Sequence, residues 1–353
     1  MTVRVRRTFT PAIVTLTAMV WGLLLPDAVA GPLSPVVGAL VEPELLRGIE
    51  DVHLEGDVAY LPCREGRRLT LCSVADPTNP TILSTFTHES LGPVAGFVRN
   101  GDTLYLVSQS NSCLLVVDGH DKSALRLVGA TAVGNGVLYK VAYRDGYCYV
   151  AGQSEQRLYV VDVRDSTRPA VVGSVPVGRE KDGPFSVLLR GDHALVGTIF
   201  GSVNRLAAVN IADPQSPRLV HELLDPVMGH VSGDATGNLL YAVNWDVSAF
   251  FILDITDAAR PELVATLVDR RLGKPNRCVV RDDRAYLPMV EGHGVAVVDI
   301  SQPTRPAFLT TFTDPRLKKT YGAAIHGDYL VVGAREGNCL MVLDRKLLET
   351  ATP

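Results

Sequence analysis

Residues 94–118 read VAGFVRNGDTLYLVSQSNSCLLVVD, which is three short apolar runs separated by polar segments. Short runs of this kind, bounded by Gly, Asn and Asp, predict antiparallel β-strands. The turn Asn100-Gly101-Asp102 tolerates the positive φ angles of a tight hairpin. A further apolar run, Leu127 to Ala132, follows a second polar segment. This stretch therefore predicts a unit of four consecutive strands.

The same unit recurs seven times, at intervals of 44 to 46 residues. A residue near the middle of the second apolar run marks each copy: Tyr60, Tyr105, Tyr149, Leu195, Tyr241, Tyr286 and Val331. A period near 45 residues with four short strands is typical of a β-propeller, in which each unit forms one blade. The sequence therefore predicts an all-β, seven-bladed propeller with four antiparallel strands per blade.

The last unit has no fourth strand after Asp344, so the ring needs a strand from elsewhere. Residues 34–40, SPVVGAL, are similar to residues 169–175, PAVVGSV, which form the fourth strand of the third unit. We expect this N-terminal strand to complete the last blade and to cover an edge that would otherwise favour aggregation. This predicts a single propeller domain over residues 31–353.

Residues 1–30 have the features of a signal peptide. They contain a basic start, an apolar stretch and a small-residue cleavage pattern: Arg4, Arg6 and Arg7, residues 12–25, and Ala28-Val29-Ala30. The apolar stretch is shorter than the ~20 residues that a membrane-spanning helix needs. Arg6 to Phe9 also resembles a twin-arginine signal, so the general secretory and twin-arginine routes both stay open. We expect an exported protein, periplasmic or at the cell surface, with no transmembrane segment after cleavage.

The composition and the missing motifs limit which partners and cofactors we expect. Residues 1–30 hold three of the 34 basic and one of the 38 acidic residues, so the chain without them has a net charge of −6. An acidic chain without a clustered basic face is not expected to bind nucleic acid. None of the six cysteines forms a Cys-x-x-Cys pair, and no phosphate loop, His-Glu-x-x-His pair or calcium loop occurs. We therefore expect a monomer without metal or cofactor, and disulfide pairing stays open.

Acidic residues recur at one position in the connection before the fourth strand. The shared spacing is that of Asp76 to Pro80, Asp165 to Pro169, Asp213 to Pro217, Asp257 to Pro261 and, with Gln, Gln302 to Pro306. An Asp side chain can bond its own backbone to open a turn, and Pro delays the next strand. Because an active site needs each group once, this recurrence indicates turns rather than catalysis.

The candidate site lies on the face where the units differ. The second connections and the links between blades share one face, and they diverge in sequence, as functional loops do. The first residues of each innermost strand should reach the channel. Together with His230, which lies one place earlier, and the loop residue Trp245, they give the binding candidates Asp51, Tyr139, Lys140, His230, Asn276, Arg277, Tyr321 and Trp245. Lys and Arg would meet carboxylates, and Tyr would stack or donate hydrogen bonds. In the alternative, Asp51 pairs with Lys140 or Arg277 and neutralises the channel.

Three segments resemble the LVIVD-repeat family: Val160 to Val163, Ile252 to Ile255 and Val297 to Ile300, each followed by a turn that ends in Pro. The family's unit also has the apolar-Tyr-apolar strand seen at Ala59 to Leu61, and the resemblance covers nearly all of residues 31–353. It implies an exported propeller of bacterial or archaeal cell surfaces. It implies no catalytic residue, since most members lack an assigned activity.

Two functions follow from these observations. The first is an exported, non-enzymatic propeller that binds a protein or glycan at the cell envelope. The alternative is a polysaccharide lyase with its site at the channel mouth. In a lyase, His230, Tyr139 or Tyr321 would take a proton beside a uronate that Lys140 or Arg277 neutralises. The sequence leaves open whether the protein is an enzyme.

Overall fold

The computed structural model describes residues 34–179, 181–201, 205–225, 228 and 231–350. These residues belong to a compact unit that begins at Ser34. Within them the strands form seven four-stranded antiparallel sheets, which are the blades of a β-propeller. The fold predicted from the repeat is therefore confirmed. The predicted signal peptide lies outside the described residues and stays a prediction.

The chain enters the propeller through β1 (Val36–Val41), and six blades are then each built from consecutive strands. Blade 1 contains β2 (His53–Glu55), β3 (Val58–Cys63), β4 (Arg68–Ser73) and β5 (Thr81–Phe86). Blade 2 contains β6 (Val94–Asn100), β7 (Thr103–Ser108), β8 (Cys113–Asp118) and β9 (Arg126–Ala132). Blade 3 contains β10 (Leu138–Arg144), β11 (Tyr147–Gly152), β12 (Arg157–Asp162) and β13 (Ala170–Pro176).

Blades 4 to 6 follow the same order. Blade 4 contains β14 (Gly183–Arg190), β15 (His193–Ile199), β16 (Arg205–Asn210) and β17 (Arg218–Leu224). Blade 5 contains β18 (Ser232–Thr236), β19 (Leu239–Asn244), β20 (Ala249–Asp254) and β21 (Glu262–Val268). Blade 6 contains β22 (Val279–Arg281), β23 (Arg284–Met289), β24 (Gly294–Asp299) and β25 (Ala307–Thr313). A short 3-10 helix, Arg270–Leu272, lies in the link before blade 6.

The N-terminal strand closes the ring. Blade 7 consists of β26 (Thr320–His326), β27 (Tyr329–Ala334), β28 (Cys339–Asp344) and β1, in that order. β1 runs antiparallel to β28, from Val36 opposite Leu343 to Val41 opposite Cys339. The helix α1 (Arg345–Thr350) follows β28 directly. The predicted closure is confirmed, and the last blade joins the two ends of the propeller.

The core lies between neighbouring blades, because the second and third strands are buried on both faces. The marker tyrosine of blade 1 shows how blades pack: the Tyr60 ring stacks on Phe97 of blade 2 with centroids 5.4 Å apart. Its hydroxyl donates to Glu55 at 2.7 Å, which satisfies the buried oxygen. All six cysteines are buried and none forms a disulfide. Among the described residues, no helix is long and apolar enough to span a membrane.

The recurring acids build turns. In blade 1, Asp76 Oδ1 accepts the backbone N–H of Thr78 at 3.0 Å and its hydroxyl at 2.6 Å. In blade 3, Asp165 makes the same two bonds to Thr167. These connections lie on the face opposite the second connections, so the regular face of the propeller is held by local hydrogen bonds.

Candidate functional site

The innermost strands surround a channel of about 720 Å³, and a separate cavity of about 280 Å³ lies at its mouth. The two share no lining residue. We call the second one the mouth cavity; it is lined by Glu50, Arg64, Tyr139, Phe185, Ile199, Phe200, Trp245, Asp246, Asn276, Tyr321 and Arg335. Because Arg64, Trp245 and Arg335 directly follow the second strands of their blades, the mouth cavity opens on the irregular face.

A β-bulge at the start of the innermost strands explains how two successive residues reach the channel axis. The pairing shifts by one residue between Val94 and Gly96, Leu138 and Val141, Pro184 and Ser186, and Thr320 and Gly322. In blades 1 and 6 the same shift separates an isolated bridge from the strand. A bulge re-aims side chains. Tyr139 therefore lines the mouth cavity, while its neighbour Lys140 lines the channel.

Asp51, Lys140 and Arg277 form a cluster that we call the plug. Asp51 is 2% exposed, and its Oδ2 lies 2.8 Å from Arg277 Nη1 and 3.1 Å from Lys140 Nζ. Its Oδ1 accepts the backbone N–H of Val52 at 2.9 Å. Burial alone would raise the pKa of Asp51, but Arg277 and Lys140 outweigh it and hold that pKa well below its usual range. The structure thus shows the pairing that the sequence left as an alternative.

Glu50, the residue before Asp51, lies in a different environment. It is 7% exposed, and its Oε2 forms an ion pair with Arg335 Nη1 at 3.4 Å. That oxygen has no hydrogen-bond partner among the described residues. Burial raises the pKa of Glu50, although Lys140, Arg335 and Arg64 act against the rise. The mouth cavity therefore holds a carboxylate whose charge is incompletely satisfied.

Two arginines border Glu50 in the mouth cavity, and they are engaged differently. Arg335 donates from Nε to Glu65 at 2.8 Å and lies over the Tyr321 ring, 4.9 Å from its centroid. Arg64 donates from Nε and Nη2 to Gln109 Oε1, at 2.9 and 2.7 Å. Because that acceptor is a neutral amide, Arg64 has no carboxylate in ion-pair contact within the described part of the chain.

Aromatic rings line the rest of the mouth cavity. Tyr139 packs on Phe185 with centroids 4.9 Å apart, and Trp245 meets Tyr321 edge to face at 6.1 Å. Tyr139 and Trp245 are half-buried, whereas Tyr321 is buried under Arg335. Phe200 is 60% exposed and has a φ of 71°. A bulky residue in the left-handed region is a strained feature of the kind that clusters at functional sites.

The structure divides the residues proposed from the sequence between two layers. Asp51, Lys140 and Arg277 meet in the plug. Those that line the mouth cavity are Tyr139, Trp245, Asn276 and Tyr321, and Asn276 Nδ2 donates to the Tyr321 carbonyl at 3.3 Å. His230 lies outside the described residues. The binding candidates chosen from the sequence did not include Glu50, Arg64, Gln109 and Arg335, which line or border the mouth cavity.

A repeat position would have revealed three of these missed residues. Arg64, Gln109, Trp245 and Arg335 each follow the last residue of the second strand in their blade. Because this position is equivalent in every repeat, its side chains lie around one mouth. The ionic state of Glu50 follows only from the structure, because it depends on how deeply Glu50 is buried and on its contact with Arg335.

The fold and the site together define a seven-bladed β-propeller with a plugged channel and a polar, aromatic mouth. Residues 136–177 and 280–314, which span most of blades 3 and 6, match the family model of the LVIVD repeat. These two segments are therefore similar to LVIVD repeats, in agreement with the resemblance seen in the sequence. No curated protein matches the chain in sequence.

Solved structures confirm the architecture. A chain of Kuenenia stuttgartiensis hydrazine synthase is similar with a TM-score of 0.66 and 13% identity, over 92% of this chain and 99% of that one. A chain of a mitotic checkpoint complex gives 0.66 and 11%, over 96% and 98%. The computationally designed Ika8 protein gives 0.62 and 9%, over 88% and 99%. At these identities the likeness concerns the fold alone.

Proposed function

We propose that this protein is a binding module of the cell envelope and that its ligand, an anionic glycan, docks in the mouth cavity. The observation that carries this proposal is Arg64. Its guanidinium is held in place by Gln109 and forms no ion pair with a carboxylate among the described residues, and it lines the cavity together with the half-buried ring of Tyr139. A cavity with a few convergent polar groups on aromatic walls is the usual form of a small-ligand site.

The chemistry of the mouth cavity fits an acidic sugar. A guanidinium binds a carboxylate through two parallel N–H donors, and such charged bonds are the stronger ones. The rings of Tyr139 and Trp245 offer apolar faces with polar edges, which suit the amphipathic faces of a sugar. Glu50 and Asn276 add an acceptor and a side-chain amide for hydroxyl groups.

The lyase alternative is less well supported. The cations that it needs, Lys140 and Arg277, are both paired with Asp51. Burial raises the pKa of Tyr139 and, likewise, that of Tyr321. A general base works best when its pKa lies near the working pH, so this change makes both tyrosines poorer bases. We therefore propose binding without bond cleavage.

Calorimetric titration with tetragalacturonate tests the proposed function. We expect wild type to bind, and Arg64→Gln to bind about tenfold more weakly, because a charged hydrogen bond is lost. Arg126→Gln is the matched control, since Arg126 lies on the outer strand β9 and pairs with Asp118 at 2.9 Å. Equal affinity in Arg64→Gln and wild type would exclude the mouth cavity. If incubation of the protein with tetragalacturonate produces new ultraviolet absorbance, the protein is a lyase instead.

Export is part of the proposal and has its own test. We expect the protein isolated from its native cells to begin at Gly31, which mass spectrometry of the intact chain would show. Arg6→Lys with Arg7→Lys blocks export only if the twin-arginine route is used. Retention of residues 1–30 in the isolated protein would contradict export with cleavage.

A further inference from the structure

A second cavity of about 630 Å³ adjoins the mouth cavity on the irregular face. We call it the side groove; it lies between blades 7 and 1 and is lined by Arg47, Gly48, Glu65, Lys318, Lys319, Tyr321, Arg335, Glu336 and Asn338. Tyr321 and Arg335 line both cavities. The two cavities therefore adjoin at these two side chains.

The side groove is positively charged on an acidic protein. Its lining contains four cationic and two acidic side chains, whereas the whole chain has a net charge of −4. Lys318 and Lys319 both pair with a single carboxylate, that of Glu336, and the Lys318 contact is as long as 3.9 Å. One acid thus serves two lysines, and the exposed Arg47 adds a third cation. A local excess of positive charge attracts anions.

Backbone hydrogen bonds hold the walls of the side groove in place. The carbonyl of Lys319 accepts from Arg335 N at 2.8 Å, and that of Lys318 accepts from Glu336 N at 3.1 Å. On the other wall, the Arg47 carbonyl accepts from Gly66 N at 3.0 Å. Fixed loops reduce the entropy that a ligand must offset on binding. The backbone that carries these cations is therefore held in place before any ligand arrives.

We propose that the side groove extends the mouth cavity into a site for an acidic oligosaccharide chain, which rests on the proposed function. The mouth cavity, at about 280 Å³, is at the lower limit of the ~300–1,000 Å³ typical of ligand pockets and suits a single sugar unit. The next units pass Arg335 and place their acidic groups along Lys318, Lys319 and Arg47. Affinity for a uronate chain then increases with chain length.

Calorimetric titration with galacturonate oligomers, from monomer to hexamer, tests the extended site. We expect wild type to bind the hexamer more tightly than the monomer. In Lys318→Gln with Lys319→Gln, the hexamer should bind about tenfold more weakly while the monomer is unaffected. Lys346→Gln with Arg168→Gln removes two cations from the opposite face and should match wild type at every length. All three proteins should melt at the same temperature, since exposed charges contribute little to stability.

The outcomes separate the two proposals. If Arg64→Gln weakens every oligomer and the lysine variant keeps the full length dependence, the side groove is overturned and the mouth site stands. If the monomer and the hexamer both fail to bind wild type, the proposed function itself fails. If a polyglutamate peptide binds as tightly as the hexamer and depends on the same lysines, the groove recognises acidic peptides and the glycan assignment is overturned.

Discussion

Glu50 and Asp51 are neighbours in the chain and both are buried, yet their surroundings shift their pKa values in opposite directions. Asp51 faces two cations and a backbone N–H, and its pKa is held well below the usual range. Glu50 faces Arg335 through one oxygen that accepts no hydrogen bond, and burial raises its pKa. In the plug the Asp51 carboxylate is therefore fully engaged by its neighbours, which makes the plug a structural element. The mouth layer, one residue away, keeps unsatisfied polar capacity for a ligand.

The largest effect is expected in the plug. Asp51→Asn leaves Lys140 and Arg277 without their anion, and breaking a buried pair costs about 3–5 kcal/mol of unfolding free energy. Urea unfolding at pH 7 measures this loss. Asp145→Asn is the control, because Asp145 is 89% exposed and should change little.

The pH dependence of this loss has a defined sign. A carboxyl with a lowered folded pKa contributes stability above its unfolded pKa, about 3.9 for Asp, and loses it as the pH falls through the folded value. The deficit of Asp51→Asn should thus be full at pH 7 and shrink below about pH 4. A deficit under about 1 kcal/mol at pH 7 would contradict the plug as a structural element.

An intermediate effect is expected at the border of the mouth. Arg335→Gln removes the cation facing Glu50 and Glu65, and hydrogen bonds to charged groups contribute about 1.5–3 kcal/mol. The loss at pH 7 should become smaller towards pH 4, because Glu50, with its raised pKa, then takes up a proton. A double-mutant cycle with Glu50→Gln in urea unfolding should show coupling. Strict additivity would mean that the two side chains do not interact.

The smallest effect is expected for Glu50→Gln alone, within about 1 kcal/mol of wild type at pH 7. A carboxyl with a raised folded pKa contributes stability that is present below its unfolded pKa, about 4.3 for Glu, and lost as the pH rises. Gln does not titrate, so the variant should gain on wild type between pH 4 and pH 7 in thermal melting. If the variant instead becomes less stable relative to wild type over this pH range, the folded protein favours the ionised form of Glu50.

The fold could be predicted in detail because each blade repeats similar turns and the same order of four short strands. The similarity of residues 34–40 to 169–175 was sufficient to predict how the ring closes. The repeat also predicted which positions reach the channel, but not how deep in the channel each side chain lies. Depth depends on the bulge beside Tyr139 and Lys140, which an apolar pattern does not reveal. The positive φ of Phe200 has no sequence signal either, since bulky residues rarely adopt it.

A crystal structure of the protein with tetragalacturonate tests the central claim most directly. We expect a sugar ring against Tyr139 and Trp245, with its carboxylate about 2.7–2.9 Å from the Arg64 guanidinium, and the chain directed past Arg335 towards Lys318. Sugar density on the other side of the plug, against Arg99 and Arg281 in the channel, would contradict the account.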